Sequence, residues 1–283
     1  MRADGYHGSP VAAAGPLAAR FLDPSQSLLL TVLATVAVGA TSIALAALVS
    51  FRWLARFVER MVSFSIGILL ATTFLHLLPE AFSQGADVEH LFAVMLAALL
   101  ALFFLEKLAL FRHSHHYEGD GHHHEHGHDA REAGRGGALI LIGSGLHNFV
   151  DGVLIAGAFL AGPWVGLAAT VSILAHEVPH KIGDFVVLLN AGLDQRRAFL
   201  LALVSTAMIV SGGVVAWFLL EHVHAWIPQV LVLAGSSFIY IALSDLVPQM
   251  QRGIALRETL TQALLIACGI AAVLFLHGLA HLH

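Results

Sequence analysis

Charged residues are scarce in this sequence, at 12% of its 283 positions, whereas 58% are hydrophobic. A soluble globular domain carries about 25% charged residues, and no continuous polar block here is long enough to form one of ordinary size. The shortage excludes an ordinary soluble protein and predicts an all-α polytopic membrane protein with one membrane domain. The lipid bilayer is therefore an expected partner, and nucleic acid is not.

The sequence also has almost no cysteine, and it has no nucleotide-binding loop of the P-loop type. Cys268 is the one cysteine, which excludes an intramolecular disulfide and a thiolate-rich metal site. No G-x-x-x-x-G-K-[ST] loop occurs in the sequence, so no ATP hydrolysis is expected from this chain. We expect neither an organic cofactor nor an ATP-driven mechanism.

Eight apolar runs follow a short first segment. Residues 1–26 are rich in Gly, Ala and Pro and lack the apolar stretch of a signal peptide, so we expect a flexible extracytoplasmic tail and a membrane domain over 27–283. Each run has about 20 residues or more, enough for a helix to cross about 30 Å of hydrocarbon. We predict eight transmembrane helices. The runs cover about 27–51, 61–82, 90–111, 136–161, 164–190, 197–220, 227–249 and 258–280.

Basic residues lie in alternate loops. They follow the first, third, fifth and seventh runs, and the loops after the second, fourth and sixth runs have none. Cytoplasmic loops carry the excess of Lys and Arg, so both termini are predicted to be extracytoplasmic. The basic residues of these loops and their edges are Arg52, Arg56, Arg60, Lys107, Arg112, Arg131, Arg135, Arg196, Arg197, Arg252 and Arg257.

One loop, at about 112–135, is long and rich in histidine. It mixes eight histidines with Asp, Glu and Gly, and a segment this polar is predicted to be disordered. We interpret it as a weak, exchangeable binder of Zn²⁺ or similar ions on the cytoplasmic side; a solvated linker is the alternative. The histidines are His113, His115, His116, His122, His123, His124, His126 and His128.

The fifth apolar run contains a group of metal-ligand residue types. On a helix, His176, His180 and Asp184 follow one another at i, i+4 and i+8 and therefore share one face. Glu177 and Lys181 flank that face. Ionisable side chains at membrane depth are costly and by default mark a functional site.

The fourth run repeats this pattern. His147 and Asp151 are one helical turn apart, with Asn148 beside them. A very short connection makes the fourth and fifth runs antiparallel neighbours, so both motifs should lie at a similar depth and form one metal site. Imidazole and carboxylate ligands suit Zn²⁺, Fe²⁺, Mn²⁺, Co²⁺, Ni²⁺ or Cd²⁺ better than Cu⁺ or Ca²⁺. The predicted ligands are His147, Asn148, Asp151, His176, Glu177 and His180.

Other polar residues within the runs give weaker signals. Pro179 removes a helix hydrogen bond to the carbonyl of Ala175, which predicts a kink and a free backbone oxygen at ligand depth; a purely structural kink is the alternative. His76 and Glu80, at the outer end of the second run, are candidate pathway residues. Asp245, at the inner end of the seventh run, is either an exit-path ligand or a capping residue.

These motifs resemble those of the ZIP (Zrt/Irt-like) divalent metal transporter family, and most closely its LIV-1/GufA-like branch. HNFVDG at 147–152 and HEVPHKIGDF at 176–185 are similar to the fourth-span and fifth-span motifs of that branch. Residues 74–81 and 238–248 look like its second and seventh spans. The His-rich loop is also a family trait, and the resemblance covers about 27–280.

The resemblance implies a secondary transporter or facilitator rather than an enzyme. It implies movement of zinc or a related divalent ion into the cytoplasm, by an elevator motion of spans 1, 4, 5 and 6 against spans 2, 3, 7 and 8. It also suggests a homodimer. The short outer tail favours the cell membrane over an organellar one. A first implied site uses His147, Asp151, His176 and His180, and a second uses Asn148, Asp151, Glu177 and His180.

Two positions depart from the branch motifs. Lys181 stands where the branch has Glu, and Gln249 stands where an acidic residue is common. We predict that the Lys181 ammonium pairs with Glu177 or Asp184 and takes the place of a second metal. The alternative is a lysine that faces a water-filled path.

Two other functions fit parts of the sequence. His176-Glu177-x-x-His180 has the spacing of a zinc protease, in which two histidines bind the metal and the glutamate acts as general base. Pro179 argues against this reading, because that motif normally lies on a regular helix. A metal sensor or storage protein based on the His-rich loop is the second alternative, and it leaves ligands buried in the membrane unexplained.

Overall fold

The computed structural model describes residues 23–48, 51–114, 130–190, 192–250 and 256–280, and these are helical except at short connections. Two π-helical segments, Thr73–Leu77 and Ile241–Leu246, and a short 3₁₀ turn, His224–Trp226, interrupt the α-helices. The α-helices in the described ranges are α1 (Pro24–Leu48), α2 (Phe51–Thr72), α3 (Leu78–Ser83), α4 (Val88–Ser114), α5 (Ala130–Ala161), α6 (Pro163–Asn190), α7 (Gln195–Leu220), α8 (Ile227–Tyr240), α9 (Val247–Met250) and α10 (Leu256–Ala280).

Seven stretches of the described helices are long and apolar enough to cross a membrane. The predicted all-helical membrane class therefore agrees with the structure. The fifth predicted run forms α6, which has 28 residues but is not among the seven, because its ionisable residues lower its apolar content. The seven stretches are Pro24–Ala47, Arg60–Ser83, Val88–Leu105, Gly143–Ala161, Gln195–Leu220, His224–Ser244 and Leu256–Leu276.

The helices reach further into the predicted tail and His-rich loop than expected. α1 begins at Pro24, because proline is well suited to the first turn of a helix. α4 continues to Ser114 and α5 begins at Ala130, where Ala, Arg and Glu are strong helix formers. The disorder predicted for 112–135 stays a prediction for 115–129, which lie outside the described residues, as do 1–22.

The helices pack in two groups. α5 packs along α7, and α1 packs against α5, α6 and α7, so these four helices form one group. In the second group α2 packs against α10, and α4 and α3 pack against α8. The groups meet mainly where α6 contacts α2 and where α5 contacts α8. All the predicted metal ligands lie on α5 and α6, in the first group.

Glycine allows α5 and α7 to touch through their backbones. A Cβ atom added at Gly212 would lie 2.0 Å from the carbonyl oxygen of Phe149, and one added at Gly152 would lie 2.0 Å from that of Ile209. Small residues commonly permit such close helix contacts in membranes. The contact sets the distance between the ligands on α5 and the polar residues of α7.

Replacing Gly212 with alanine is expected to destabilise the protein, because the added methyl group must push α7 away from α5. Overpacking typically costs about 1–3 kcal/mol, which corresponds to a fall of roughly 5 °C in the unfolding midpoint. The midpoint can be measured by fluorescence-detected size-exclusion chromatography of detergent-solubilised protein after heating. Gly143→Ala is the matched control, since a Cβ there meets no atom within 4 Å in the described structure. Equal midpoints for both variants would contradict the packing argument.

Candidate metal centre

Two antiparallel helices carry the predicted ligands. α5 ends at Ala161 and α6 begins at Pro163, so Gly162 alone connects them. The proline starts α6 directly, because its fixed φ suits the first helical position. This tight connection brings the middle of α5 beside the middle of α6, as the sequence predicted.

Four of the predicted ligands form a compact cluster. His147, Asp151, His176 and Glu177 each offer one ligand atom, and these atoms all lie within 4.8 Å of one another. Asp151 Oδ2 lies 3.2 Å from His176 Nε2 and 3.6 Å from His147 Nε2. Glu177 Oε1 lies 3.7 Å from His147 Nε2. Two imidazoles and two carboxylates form a donor set that suits a divalent transition metal. We call these four residues the metal cluster.

The surroundings of His176 direct one ring nitrogen into the metal cluster. Nδ1 lies 3.1 Å from the carbonyl oxygen of Ser172, one turn earlier on α6, and the ring packs edge-on against Phe238 of α8. A carbonyl at Nδ1 requires the proton on that nitrogen, which leaves the Nε2 lone pair for a metal. The helix therefore orients the ligand before any ion binds.

The polar atoms of the metal cluster have unmet hydrogen-bonding capacity. Both oxygens of Asp151, both oxygens of Glu177, and the Nε2 atoms of His147 and His176 are buried and form no hydrogen bond within the described parts of the chain. Buried polar groups are nearly always paired in native proteins. These atoms instead have ionic neighbours at 3.2–3.7 Å. They are also free to bind a cation.

Exposure increases from the metal cluster towards one end of the two helices. The side chains of Asp151, His176 and Glu177 are buried, whereas that of His147 is 25% exposed. The His180 side chain is 34% exposed and its ring stacks on His147 at 5.0 Å between centroids. Access to the cluster therefore lies past His147 and His180, towards the beginning of α5 and the end of α6.

His180 and Asn148 lie beside the metal cluster rather than within it. His180 is not among the four grouped residues, and its Nδ1 lies 3.5 Å from Asp184 Oδ2. Asn148 Nδ2 donates a hydrogen bond to the carbonyl oxygen of Ser205 on α7, and its Oδ1 is buried with no hydrogen bond in the described residues. Four of the six predicted ligands are therefore grouped in the metal cluster, and metal binding by His180 and Asn148 stays a prediction.

Lys181 is buried in a polar pocket next to the metal cluster. Its Nζ lies 3.6 Å from Glu177 Oε2 and 3.9 Å from Asp184 Oδ2. It also donates hydrogen bonds to the hydroxyl oxygens of Ser144 (3.1 Å) and Ser205 (3.3 Å). The ammonium group therefore lies beside both carboxylates suggested for it from the sequence. We call these five residues the ammonium pocket.

The two serines of the ammonium pocket are functional candidates that the sequence reading missed. Ser144 also donates to Asp184 Oδ2 at 2.6 Å. It lies one turn before Asn148 on α5, so its helical spacing could have indicated it. Ser205 belongs to no motif, and its role depends on how α7 packs.

The free carbonyl created by Pro179 has a structural partner. α6 continues as one α-helix through Pro179, and the Ala175 oxygen accepts a hydrogen bond from Ser65 Oγ of α2 at 2.5 Å. The interpretation of this oxygen as part of the metal site is therefore wrong, and the structural alternative holds. A second buried hydrogen bond, from Ser172 Oγ to Thr72 Oγ1 at 2.6 Å, joins the same two helices.

The remaining predicted residues are not in the metal cluster. His76 is buried on the first π-helical segment, and Glu80 on α3 accepts a hydrogen bond from Gln84. Asp245 lies on the second π-helical segment. π-Turns are frequent near functional sites, so these residues stay candidate pathway residues. His113 lies near the end of α4, and the other loop histidines lie outside the described residues.

Comparison with known proteins identifies a family. Residues 25–277 match the family described as ZIP Zinc transporter. Zinc transporter ZIP13 of Pongo abelii is 32% identical over 239 residues, which are 76% of this chain and 65% of that protein. Zinc transporter ZIP10 of Homo sapiens is 32% identical, with 52% of this chain and 18% of that protein covered. Metal cation symporter ZIP14 of Mus musculus is 38% identical, with 40% and 22% covered. The chain spans less than two thirds of the length of these relatives.

Proposed function

Because the chain belongs to the ZIP zinc transporter family, we propose that it carries divalent transition-metal ions, and zinc in particular, across a membrane. The predicted resemblance to this family and to its LIV-1 branch, which includes ZIP13, ZIP10 and ZIP14, is confirmed. The observation that supports transport most is the metal cluster, whose buried donor atoms form no hydrogen bond within the described residues. Fe²⁺, Mn²⁺, Co²⁺ and Cd²⁺ suit the same donors.

The proposed transporter has eight spans, with α6 as the span that carries most of the ligands. At 28 residues and 1.5 Å per residue, α6 is long enough to cross a bilayer of about 30 Å. Three of its ionisable residues, His176, Glu177 and Lys181, are buried, and the helix packs against α1, α2, α5 and α7. Both termini are outside in this arrangement, and the chain works in the cell membrane as a homodimer.

The proposed mechanism moves the helix group of α1, α5, α6 and α7 against the group of α2, α4, α8 and α10. The metal ligands all belong to the first group, so an ion moves with it and its coordination need not change during the motion. Two hydrogen bonds, from Ser65 to Ala175 and from Ser172 to Thr72, link α2 to α6 across the boundary. These two hydrogen bonds would break during the motion, and their donors and acceptors would bond to other partners.

The direction of transport is proposed to be into the cytoplasm. Access to the metal cluster lies past His147 and His180, towards the beginning of α5 and the end of α6, and the arginine-rich loops at those ends favour the cytoplasmic side. An inside-negative potential favours cation entry by roughly 2.3 kcal/mol per charge per 100 mV. No nucleotide is required for this flux.

An intramembrane zinc protease is not supported. His176 and His180 would both have to bind one ion, yet the metal cluster contains His176 without His180. Glu177 would have to act as general base, yet its two oxygens face His147 and Lys181. The similar proteins are described as zinc or metal transporters.

Proteoliposomes that contain the full chain are expected to accumulate Zn²⁺ down its gradient without ATP, as recorded by a trapped zinc-sensitive dye. A chain lacking residues 113–128 is expected to accumulate Zn²⁺ within about twofold of the parent rate, because the donors of the metal cluster lie elsewhere. Liposomes without protein are the control. Uptake no faster than that control would contradict the proposed function, and loss of uptake on deletion would favour the sensor or storage reading.

A further inference from the structure

We propose that Lys181 is a resident cation that limits the metal centre to one divalent ion. The inference rests on the proposed function, because it assigns the ion content of the same site. It comes from the ammonium pocket, which lies next to the metal cluster and shares Glu177 with it.

The ammonium pocket surrounds Lys181 Nζ with oxygen atoms from three helices. Glu177 and Asp184 of α6 supply carboxylate oxygens at 3.6 and 3.9 Å. Hydroxyl oxygens of Ser144 on α5 and Ser205 on α7 lie at 3.1 and 3.3 Å. The Lys181 side chain is 0% exposed. Oxygen donors of this kind also bind metal cations, and here the ammonium group occupies their centre.

The pocket accounts for a lysine that would otherwise be costly to bury. Burying a charged group is strongly unfavourable unless it is paired and hydrogen-bonded. Lys181 has both kinds of partner. Asp184 has a further bond from Ser144 at 2.6 Å, which holds its carboxylate in place.

Glu177 divides its two oxygens between the two sites. Oε1 lies 3.7 Å from His147 Nε2, in the metal cluster. Oε2 lies 3.6 Å from Lys181 Nζ, in the ammonium pocket. One oxygen of Glu177 is therefore available to a metal, and the other is held by the resident cation.

The charges of the two sites balance with one divalent ion. Asp151, Glu177 and Asp184 provide three negative charges, and Lys181 provides one positive charge, which leaves two negative charges while the histidines are neutral. One divalent ion cancels these. A second would leave two uncompensated positive charges in a buried site, where such charges are very costly. Geometry and charge thus lead to the same ion content.

Reversing the charge at Lys181 should double the ion content. Lys181→Glu removes one positive charge and adds a negative one, so the site then carries four negative charges and has an extra carboxylate. We expect the parent chain to bind one Zn²⁺ in this region and Lys181→Glu to bind two. Lys107→Glu is the matched control, because Lys107 is the one other lysine and its ammonium lies over Phe103 on α4. It is expected to stay at one.

The measurement is equilibrium dialysis of the purified full chain with Zn²⁺, followed by elemental analysis. Each chain is compared with its own His147→Ala/His176→Ala/Glu177→Ala version, which removes donors of the metal cluster and the carboxylate that it shares with the ammonium pocket. The difference counts the ions of this region without those of the His-rich loop. Two ions in the parent, or one in a folded Lys181→Glu, would overturn the inference. If the parent chain and its ligand-deficient version bind the same number of Zn²⁺ ions, that result would instead contradict the proposed metal centre. The number of Zn²⁺ ions bound by the parent chain tests the inference even if Lys181→Glu fails to fold.

Discussion

Asp151→Asn is expected to lower Zn²⁺ uptake into proteoliposomes by at least about 100-fold, the upper end of the loss seen when a residue that merely supports a metal ligand is removed. Asp151 is fully buried, and its Oδ2 lies close to ring nitrogens of both His147 and His176. Asparagine keeps the shape of the side chain but lacks the negative charge. It leaves Glu177 as the single carboxylate of the metal cluster, so a bound divalent ion would be only half neutralised.

The matched control for this variant is Asp87→Asn. Asp87 is exposed, and its Oδ1 accepts a hydrogen bond from the backbone nitrogen of Glu89 at the start of α4. Asparagine can make the same capping bond, so expression and uptake should match the parent. Uptake at the parent rate by a correctly inserted Asp151→Asn would show that the metal cluster does not carry the transported ion.

A disulfide between α2 and α6 is expected to stop transport. Thr72 Oγ1 and Ser172 Oγ are 2.6 Å apart, so cysteines at these positions are placed to bond. The bond would join the two helix groups that the proposed mechanism moves against each other. In a Cys268→Ser background, oxidation of Thr72→Cys/Ser172→Cys should reduce Zn²⁺ uptake to the level of liposomes without protein, and a reductant should restore it.

A second cysteine pair tests whether the position of the bond matters. A Cβ atom at Gly213 on α7 would lie 3.0 Å from Thr35 Cγ2 on α1, and both helices belong to the group that carries the ligands. Oxidised Thr35→Cys/Gly213→Cys should therefore keep most of its uptake. Full uptake by a completely cross-linked Thr72→Cys/Ser172→Cys chain would contradict movement between the groups.

The spacing of metal-ligand residue types along the chain was sufficient to predict side chains that lie close together. His147 and Asp151 on one helix, and His176 and Glu177 on the next, were predicted as ligands and lie together in the structure. The period of an α-helix places His147 and Asp151, four residues apart, on one side, and a connection of one residue forces the two helices to be neighbours. Glu177 was included because it follows His176 directly and flanks the same face. These are local properties of the sequence.

The same reasoning could not assign each ligand to its partner. His180 shares a face with His176, yet its Nδ1 lies 3.5 Å from Asp184 Oδ2, and the residue grouped with His176 is Glu177. Helical spacing specifies the face of a residue, but the side-chain rotamer and the neighbouring helix decide which atoms meet. For the same reason the Ala175 carbonyl, freed by Pro179, was assigned to the site although it bonds to Ser65.

The sequence was enough for the membrane class, the helix pattern, the family and the residues of the metal cluster, because these follow from composition, apolar length and spacing within one helix. Long-range packing was needed for the ammonium pocket. Lys181 was visible as a departure from the family motif, but Ser205 enters the pocket because Gly212 and Gly152 let α7 approach α5. The partners of a buried charge come from whichever helices surround it, and that arrangement is a property of the whole bundle.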